Sequence, residues 1–218
     1  MNLRLVVFDW DGTLMDSIGT IVGCMRAALE EIGAPPPREL DSIRHAIGLG
    51  LRETLDALYP EADDLFRSRV VEAYRHHWFG SHREQQVLFP AVPELLAELA
   101  GRGLLLAVAT GKSRRGLDHD LARTGLAGAF QATRTVDEAP SKPAPGMLLD
   151  VLSELGVAPA EALMVGDTTY DLEMARNARV AAVGVTSGAQ GPEHLMPFAP
   201  RAILPWATEL PAWLDGGK

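Results

Sequence analysis

The feature that most constrains how this chain can fold is an alternation of short, unbroken apolar runs with helical patterns. Residues 3–8 (LRLVVF), 104–110 (LLLAVAT) and 162–166 (ALMVG) lack regular polar alternation, and each stops at a polar or glycine-rich turn. Each therefore reads as a strand buried on both faces. Residues 180–185 (VAAVGV) read as a fourth strand. Helical patterns occupy 92–100, 113–124, 145–155 and 169–177. Strands that alternate with helices imply a parallel sheet with helices on both faces, an α/β fold.

The alternation is interrupted once, over residues 16–85. Ile18, Ile21, Val22, Met25, Leu29 and Ile32 recur at helical spacing, and Gly33 followed by APPP ends that helix. Further helices are expected at 38–46, 51–58 and 62–79, with the loop IGLG (47–50) between the first two. The alternating pattern resumes at LFPAVPELL. The block therefore reads as a helical cap domain, 16–85, inserted into a catalytic core formed by 1–15 and 86–218. A chain of 218 residues, 47% apolar, can bury one sizeable core and carry such an insert. The terminal DGGK reads as a frayed end.

Charge and targeting signals narrow the function classes. The net charge is -9, from 29 acidic and 20 basic residues, and no run of five basic residues occurs. Nucleic acid and anionic membranes are poor partners for such a surface. The start, MNLRLVVFDWDG, meets charge too soon for a signal peptide or a membrane span. The single cysteine, Cys24, falls in an apolar helical pattern and reads as a packing residue, which suits a reducing cytoplasm.

Open parallel sheets bind ligands outside the carboxyl ends of their strands. Asp9 and Asp11 follow the first strand here, Thr110, Gly111 and Lys112 the second, and Gly166, Asp167 and Asp171 the third. Lys142 lies on a loop stiffened by prolines in APSKPAP. One DxD pair is weak evidence of anything. Polar groups suited to one phosphate, delivered by several strand ends from distant sequence positions, are much stronger evidence.

With these motifs in order (DWDGT at 9–13, AT at 109–110, Lys142 in SKPAP, GDTTYD at 166–171), the chain resembles the haloacid-dehalogenase-like phosphatase superfamily over nearly all its length. LFPAVPELLAELA, VATGKS, KPAPGMLL and VGDTTYDLEMARNA are similar to its phosphoglycolate-phosphatase-like members; Gly111 stands where Asn is often found. The resemblance implies a three-layer, Rossmann-like parallel sheet core with an inserted α-helical cap. It also implies a magnesium-dependent phosphomonoester hydrolase that forms an aspartyl-phosphate. In that scheme Asp9 is nucleophile and metal ligand, Asp11 is general acid and base, and Mg2+ is held by Asp9, Asp167 and the backbone carbonyl of Asp11. Asp171 supports that shell by hydrogen bonding. Thr110 and Lys142 act on the transferring phosphoryl group, and Trp10, Gly12 and Gly111 offer backbone to the phosphate, with the Trp10 ring packing under the cap.

The physical demands agree with these roles. A carboxylate attacks an anionic ester only where positive charge neutralises the site, magnesium prefers hard oxygen ligands, and two carboxyl groups with opposite proton tasks need unlike surroundings. Asp16 and Ser17 read as the acid and cap of the first cap helix. Within the cap, Arg44, His45 and Arg52 flank the IGLG loop and are candidates for meeting a substrate carboxylate. A small phosphorylated metabolite such as 2-phosphoglycolate is the expected substrate, and the protein is expected as a monomer or homodimer. A phosphosugar mutase or inorganic pyrophosphatase on the same scaffold is the alternative, and a non-catalytic binding protein a further one.

Overall fold

The computed structural model describes residues 2–37, 41–82 and 86–216. Its main sheet has six parallel strands. In chain order, with β2 (Met15–Asp16) and β3 (Val87–Leu88) forming a separate pair, they are β1 (Leu5–Phe8), β4 (Leu105–Thr110), β5 (Ala132–Thr135), β6 (Ala162–Gly166), β7 (Ala181–Val185) and β8 (Ile203–Leu204). The spatial order is β5-β4-β1-β6-β7-β8. β1, β4 and β6, expected from their apolar runs, are therefore the three adjacent central strands. That adjacency brings their polar ends together.

The pleat divides the core into two layers. Val6 and Phe8 face one way, packing with Leu95, Leu96 and Leu99 of α5 (Val92–Gly101) and Leu117 and Leu121 of α6 (Arg114–Thr124). Leu5 and Val7 face the other way, toward Met147, Leu148 and Val151 of α7 (Gly146–Leu155) and Met174 and Ala175 of α8 (Thr169–Asn177). Alternate side chains of one strand thus feed opposite faces, the period-two rule applied to a sheet covered on both sides. Local signals set the helix ends. Ser113 accepts from the Gly116 amide at the start of α6, and Gly125, at φ 74°, ends it.

β5 and β8 were not expected from sequence, and both lie at sheet edges. ATRT is half polar, and β8 has two residues. An edge strand needs no continuous apolar run, so neither shows the pattern that marks central strands. The chain end is also more ordered than expected. Asp215 and Gly216 belong to a final helix, Leu210–Gly216, and Arg102 donates to both carboxylate oxygens of Asp215 at 2.9 Å; the last two residues lie outside the described ones.

Among the described residues between β1 and α5 stand four α-helices, α1 (Ile18–Glu31), α2 (Ser42–His45), α3 (Leu51–Leu58) and α4 (Asp64–His77), the last continued by a π-helical turn, Trp78–His82. Met25, Leu29, Ile43, Leu55 and Val70 make an apolar cluster distinct from both layers of the sheet. Cys24 is buried in α1, and burial raises its thiol pKa to about 11, so packing accounts for it. α2 is shorter than the expected 38–46, of which residues 38–40 lie outside the described ones. The two chain crossings beside this block pair as a short antiparallel ribbon, β2 (Met15–Asp16) with β3 (Val87–Leu88). Among the described residues no helix is long and apolar enough to cross a membrane.

Candidate active site

Asp9 follows β1 directly, and its amide donates to Val165 of β6, so the backbone ladder runs one residue past the strand and fixes where this carboxylate starts. Asp9, Asp167 and Asp171 each offer one carboxylate oxygen, all within 4.8 Å of one another. All three are buried, at 2%, 0% and 0% exposure. Lys142, equally buried, places Nζ 2.8 Å from Asp9 Oδ1 and 2.6 Å from Asp171 Oδ1. Three carboxylates against one ammonium leave a formal excess of two negative charges in a desolvated pocket. Hard oxygen donors with that charge excess fit a divalent cation.

Electrostatics carries the same message. Burial pushes the Asp9 carboxyl up to about 7, with Lys142 pulling it down and Asp171 pushing it further up. Burial first, then Asp9 and Asp171, hold Asp167 well above the usual carboxylate range. For Lys142 burial works against the ammonium, but Asp171 and Asp9 outweigh it and hold the pKa above the ordinary lysine value. The acids resist being charged together, and a cation among them would relieve that.

Each acid is held by its neighbours. Asp167 accepts from Thr13 Oγ1 at 3.0 Å and from the Ala189 amide at 2.7 Å. Asp171 accepts from the Thr168 hydroxyl at 2.7 Å and amide at 3.1 Å, a capping box that starts α8. Gly12, at φ 82°, makes room for this arrangement, since a Cβ there would come 2.4 Å from Asp167 Oδ2. Its missing side chain thus serves the buried acid as well as the turn.

Asp11 has separate partners. Lys112 Nζ lies 2.9 and 3.0 Å from its two oxygens, and Ser17 Oγ donates to it at 2.7 Å. Ser17 does precede α1, but its hydroxyl makes no cap hydrogen bond and is spent on Asp11 instead. Lys112 also lies 3.3 Å from Asp120, which accepts from Trp10 Nε1 at 3.1 Å. Burial alone would lower the Lys112 pKa, yet Asp11 and Asp120 hold it above the ordinary value. The Trp10 ring therefore packs in the core, edge-on to Phe130, and not under the cap as expected from sequence. The helical block does reach this group, because Trp78 sets its ring centroid 4.7 Å from Lys112 Nζ.

Above these residues opens a cavity of about 1260 Å³ between helical block and core. Asp9, Asp11, Thr110, Gly111 and Lys112 line it from the core, and Tyr74, Arg75, Trp78 and Phe79 from the helices. Lys142, Asp167 and Asp171 are not among its lining residues and stand behind Asp9. Thr110, 1% exposed, accepts from the Lys112 amide at 3.2 Å, and Ser113 serves as the α6 cap.

The cap residues proposed for substrate contact fare differently. Arg44 does not line the cavity; its guanidinium donates to the Gly188 and Ala189 carbonyls at 2.6 and 2.8 Å. His45 does not line it either, and its ring lies tilted at 52° against that of His194 with centroids 5.0 Å apart. Both are spent on docking the block to the core. Arg52 does line the cavity but is ion-paired with Asp64 at 3.0 Å. Tyr74 of α4, Trp78 just beyond it and Arg115 of α6 line it without any sequence signal, because helical spacing alone does not reveal which face of a helix borders a cavity and which borders solvent.

The profile of the haloacid dehalogenase-like hydrolases matches residues 6–185. A probable phosphatase of Dickeya dadantii, IndB, is 37% identical over 94% of this chain and 91% of its own. The phosphoglycolate phosphatase of Pseudomonas putida is 32% identical over 85% and 70%, and the N-acetylmuramic acid 6-phosphate phosphatase of Pseudomonas aeruginosa 31% over 88% and 86%. Among solved structures, a hydrolase from Pseudomonas syringae superimposes with a TM-score of 0.89 at 25% identity, covering 98% of each chain.

Proposed function

The chain belongs to the haloacid dehalogenase-like hydrolase family, and from that premise we propose that it is a magnesium-dependent phosphomonoester hydrolase working through an aspartyl-phosphate on Asp9. The observation that carries this reading is the buried set Asp9, Asp167, Asp171 and Lys142, with only Asp9 of the four lining the cavity. Asp9, Asp167 and the Asp11 backbone carbonyl would hold the cation, with Asp171 fixing Lys142 beside them. When bound, the cation supplies positive charge against the phosphate oxygens and the crowded carboxylates.

The protein's own residues then divide the work. A carboxylate oxygen of Asp9 attacks phosphorus, forming a new P–O bond while the bond to the leaving oxygen breaks. Asp11 gives its proton to that oxygen, and the alcohol departs. Water next attacks the aspartyl-phosphate, Asp11 takes the water's proton, phosphate leaves and the Asp9 carboxylate is restored. The Thr110 hydroxyl orients the phosphoryl group, and Lys142 holds the Asp9 carboxylate in place. The helical block, 16–85, serves as the cap that excludes water and carries the contacts to the leaving group.

A small phosphorylated metabolite such as 2-phosphoglycolate is the proposed substrate, supported by relatives with that name. Phosphate release should be steady with magnesium and collapse in the Asp9→Asn variant, with its circular dichroism unchanged. Wild-type turnover in that variant would remove Asp9 as nucleophile, and isomerised sugar phosphate without phosphate release would favour a mutase.

A further inference from the structure

The motif that supplies Thr110 continues into a lysine to which the proposed reaction gives no task. The Lys112 side chain is 6% exposed, yet it carries a full charge into the core, at a cost that only good partners offset. Its partners are specific. Nζ sits across both oxygens of Asp11, at 2.9 and 3.0 Å, while Ser17 Oγ holds one of the same oxygens at 2.7 Å. On the far side Asp120 anchors the ammonium at 3.3 Å and is itself fixed by the indole of Trp10, the residue between the two motif acids. The Trp78 ring closes the remaining side from the cap.

We propose that Lys112 is a positioning residue for Asp11: it orients the carboxyl group that must meet the leaving oxygen, and is itself oriented by Asp120 and Trp10. The inference rests on the phosphatase reading above. Asp11 lines the cavity two residues from Asp9, and Lys112 and Ser17 hold its carboxyl group there. Lys112 pairs with Asp11 and Lys142 with Asp9, so that each of the two reacting acids has its own ammonium. Transfer of a proton to a departing oxygen depends on alignment within hydrogen-bond reach, and a bidentate contact fixes the plane of the carboxyl group as well as its distance.

Proton donation matters for an alkoxide leaving group and very little for nitrophenolate, which departs unaided. Lys112→Met should therefore lower kcat/KM for an alkyl phosphate such as 2-phosphoglycolate by about a hundredfold, and for p-nitrophenyl phosphate by less than about fivefold. Inhibition by inorganic phosphate should stay within about threefold of wild type, because ground-state binding is left alone. Asp120→Asn, which keeps the shape and leaves Lys112 in place, should show the same selectivity at smaller amplitude, and it serves if the methionine variant does not fold. Equal losses on both substrates, or no loss on either, would overturn the positioning role while the Asp9→Asn result still upholds the phosphatase. A wild-type protein that releases phosphate from neither substrate would overturn both.

Discussion

Asp9 and Asp11 are two residues apart in sequence and are held by different lysines, Lys142 and Lys112, that come from different loops. Two carboxyl groups with unlike proton tasks need such separate surroundings. The raised pKa values of Asp9 and Asp167 carry a consequence for stability. An acid whose folded pKa lies above its unfolded value binds more protons when folded, so its stabilisation is full below the unfolded pKa and is lost as pH rises through the folded one. For Asp9 that window runs from 3.8 to about 7, and Asp167 acts in the same direction. Metal-free protein should lose melting temperature between about pH 5 and about pH 8, and added magnesium should restore more of it at the higher pH. A melting temperature that rises over that range in chelator would contradict the raised values. Asp9, Asp11, Thr110, Lys142 and Asp167 were legible in sequence because each is tied to a strand end or a stiffened loop. Lys112 was visible but had no task, since its partner Asp120 lies in the middle of α6, where an acid in sequence looks like any solvated charge.

At the scale of elements, the loop 47–50 matters more than the arginines flanking it. A Cβ on Gly111 would come 2.6 Å from the carbonyl oxygens of both Gly48 and Leu49. Gly48, at φ 105°, packs on Thr168, and the Gly50 amide donates to Ser141 Oγ at 2.9 Å. The loop is therefore seated on three separate core segments. Gly111, with no Cβ, is what lets it approach the end of β4. Gly111→Ala should push the seated loop outward at a cost of about 1–3 kcal/mol, read as a rise in KM of about tenfold and faster proteolysis within the helical block. Unchanged KM and proteolysis would show that the loop does not need this seat. Elements that the sequence did not reveal are those without a continuous apolar run: the edge strands β5 and β8, and the two-residue ribbon β2–β3. Their position is set by neighbours and not by their own composition.

Among the described residues the sheet and the helical block have separate apolar clusters, and a small one of Ile18, Ile47 and Ala189 lies between them. The sheet is packed on both faces, while the helical block gathers its apolar residues around Met25, Leu29 and Val70. Leu55→Ala, at a fully buried position in the latter cluster, should cost about 2–5 kcal/mol in the block, and the cleavage rate within it should rise while protection of the sheet amides from hydrogen exchange persists. Loss of protection across both parts together would show that they unfold as one unit. The alternation of apolar runs, together with DWDGT, SKPAP and GDTTYD, determined by itself the layered fold, the central strands and the gathering of Asp9, Asp167 and Asp171, because buried strands and their C-terminal turns impose local composition. Tertiary structure alone decided that Arg44 and His45 clasp the core, that Ser17 serves Asp11 and that Lys112 stands between Asp11 and Asp120. Those assignments depend on which distant groups a buried charge or carbonyl finds within about 3 Å, a matter of packing that no local pattern records.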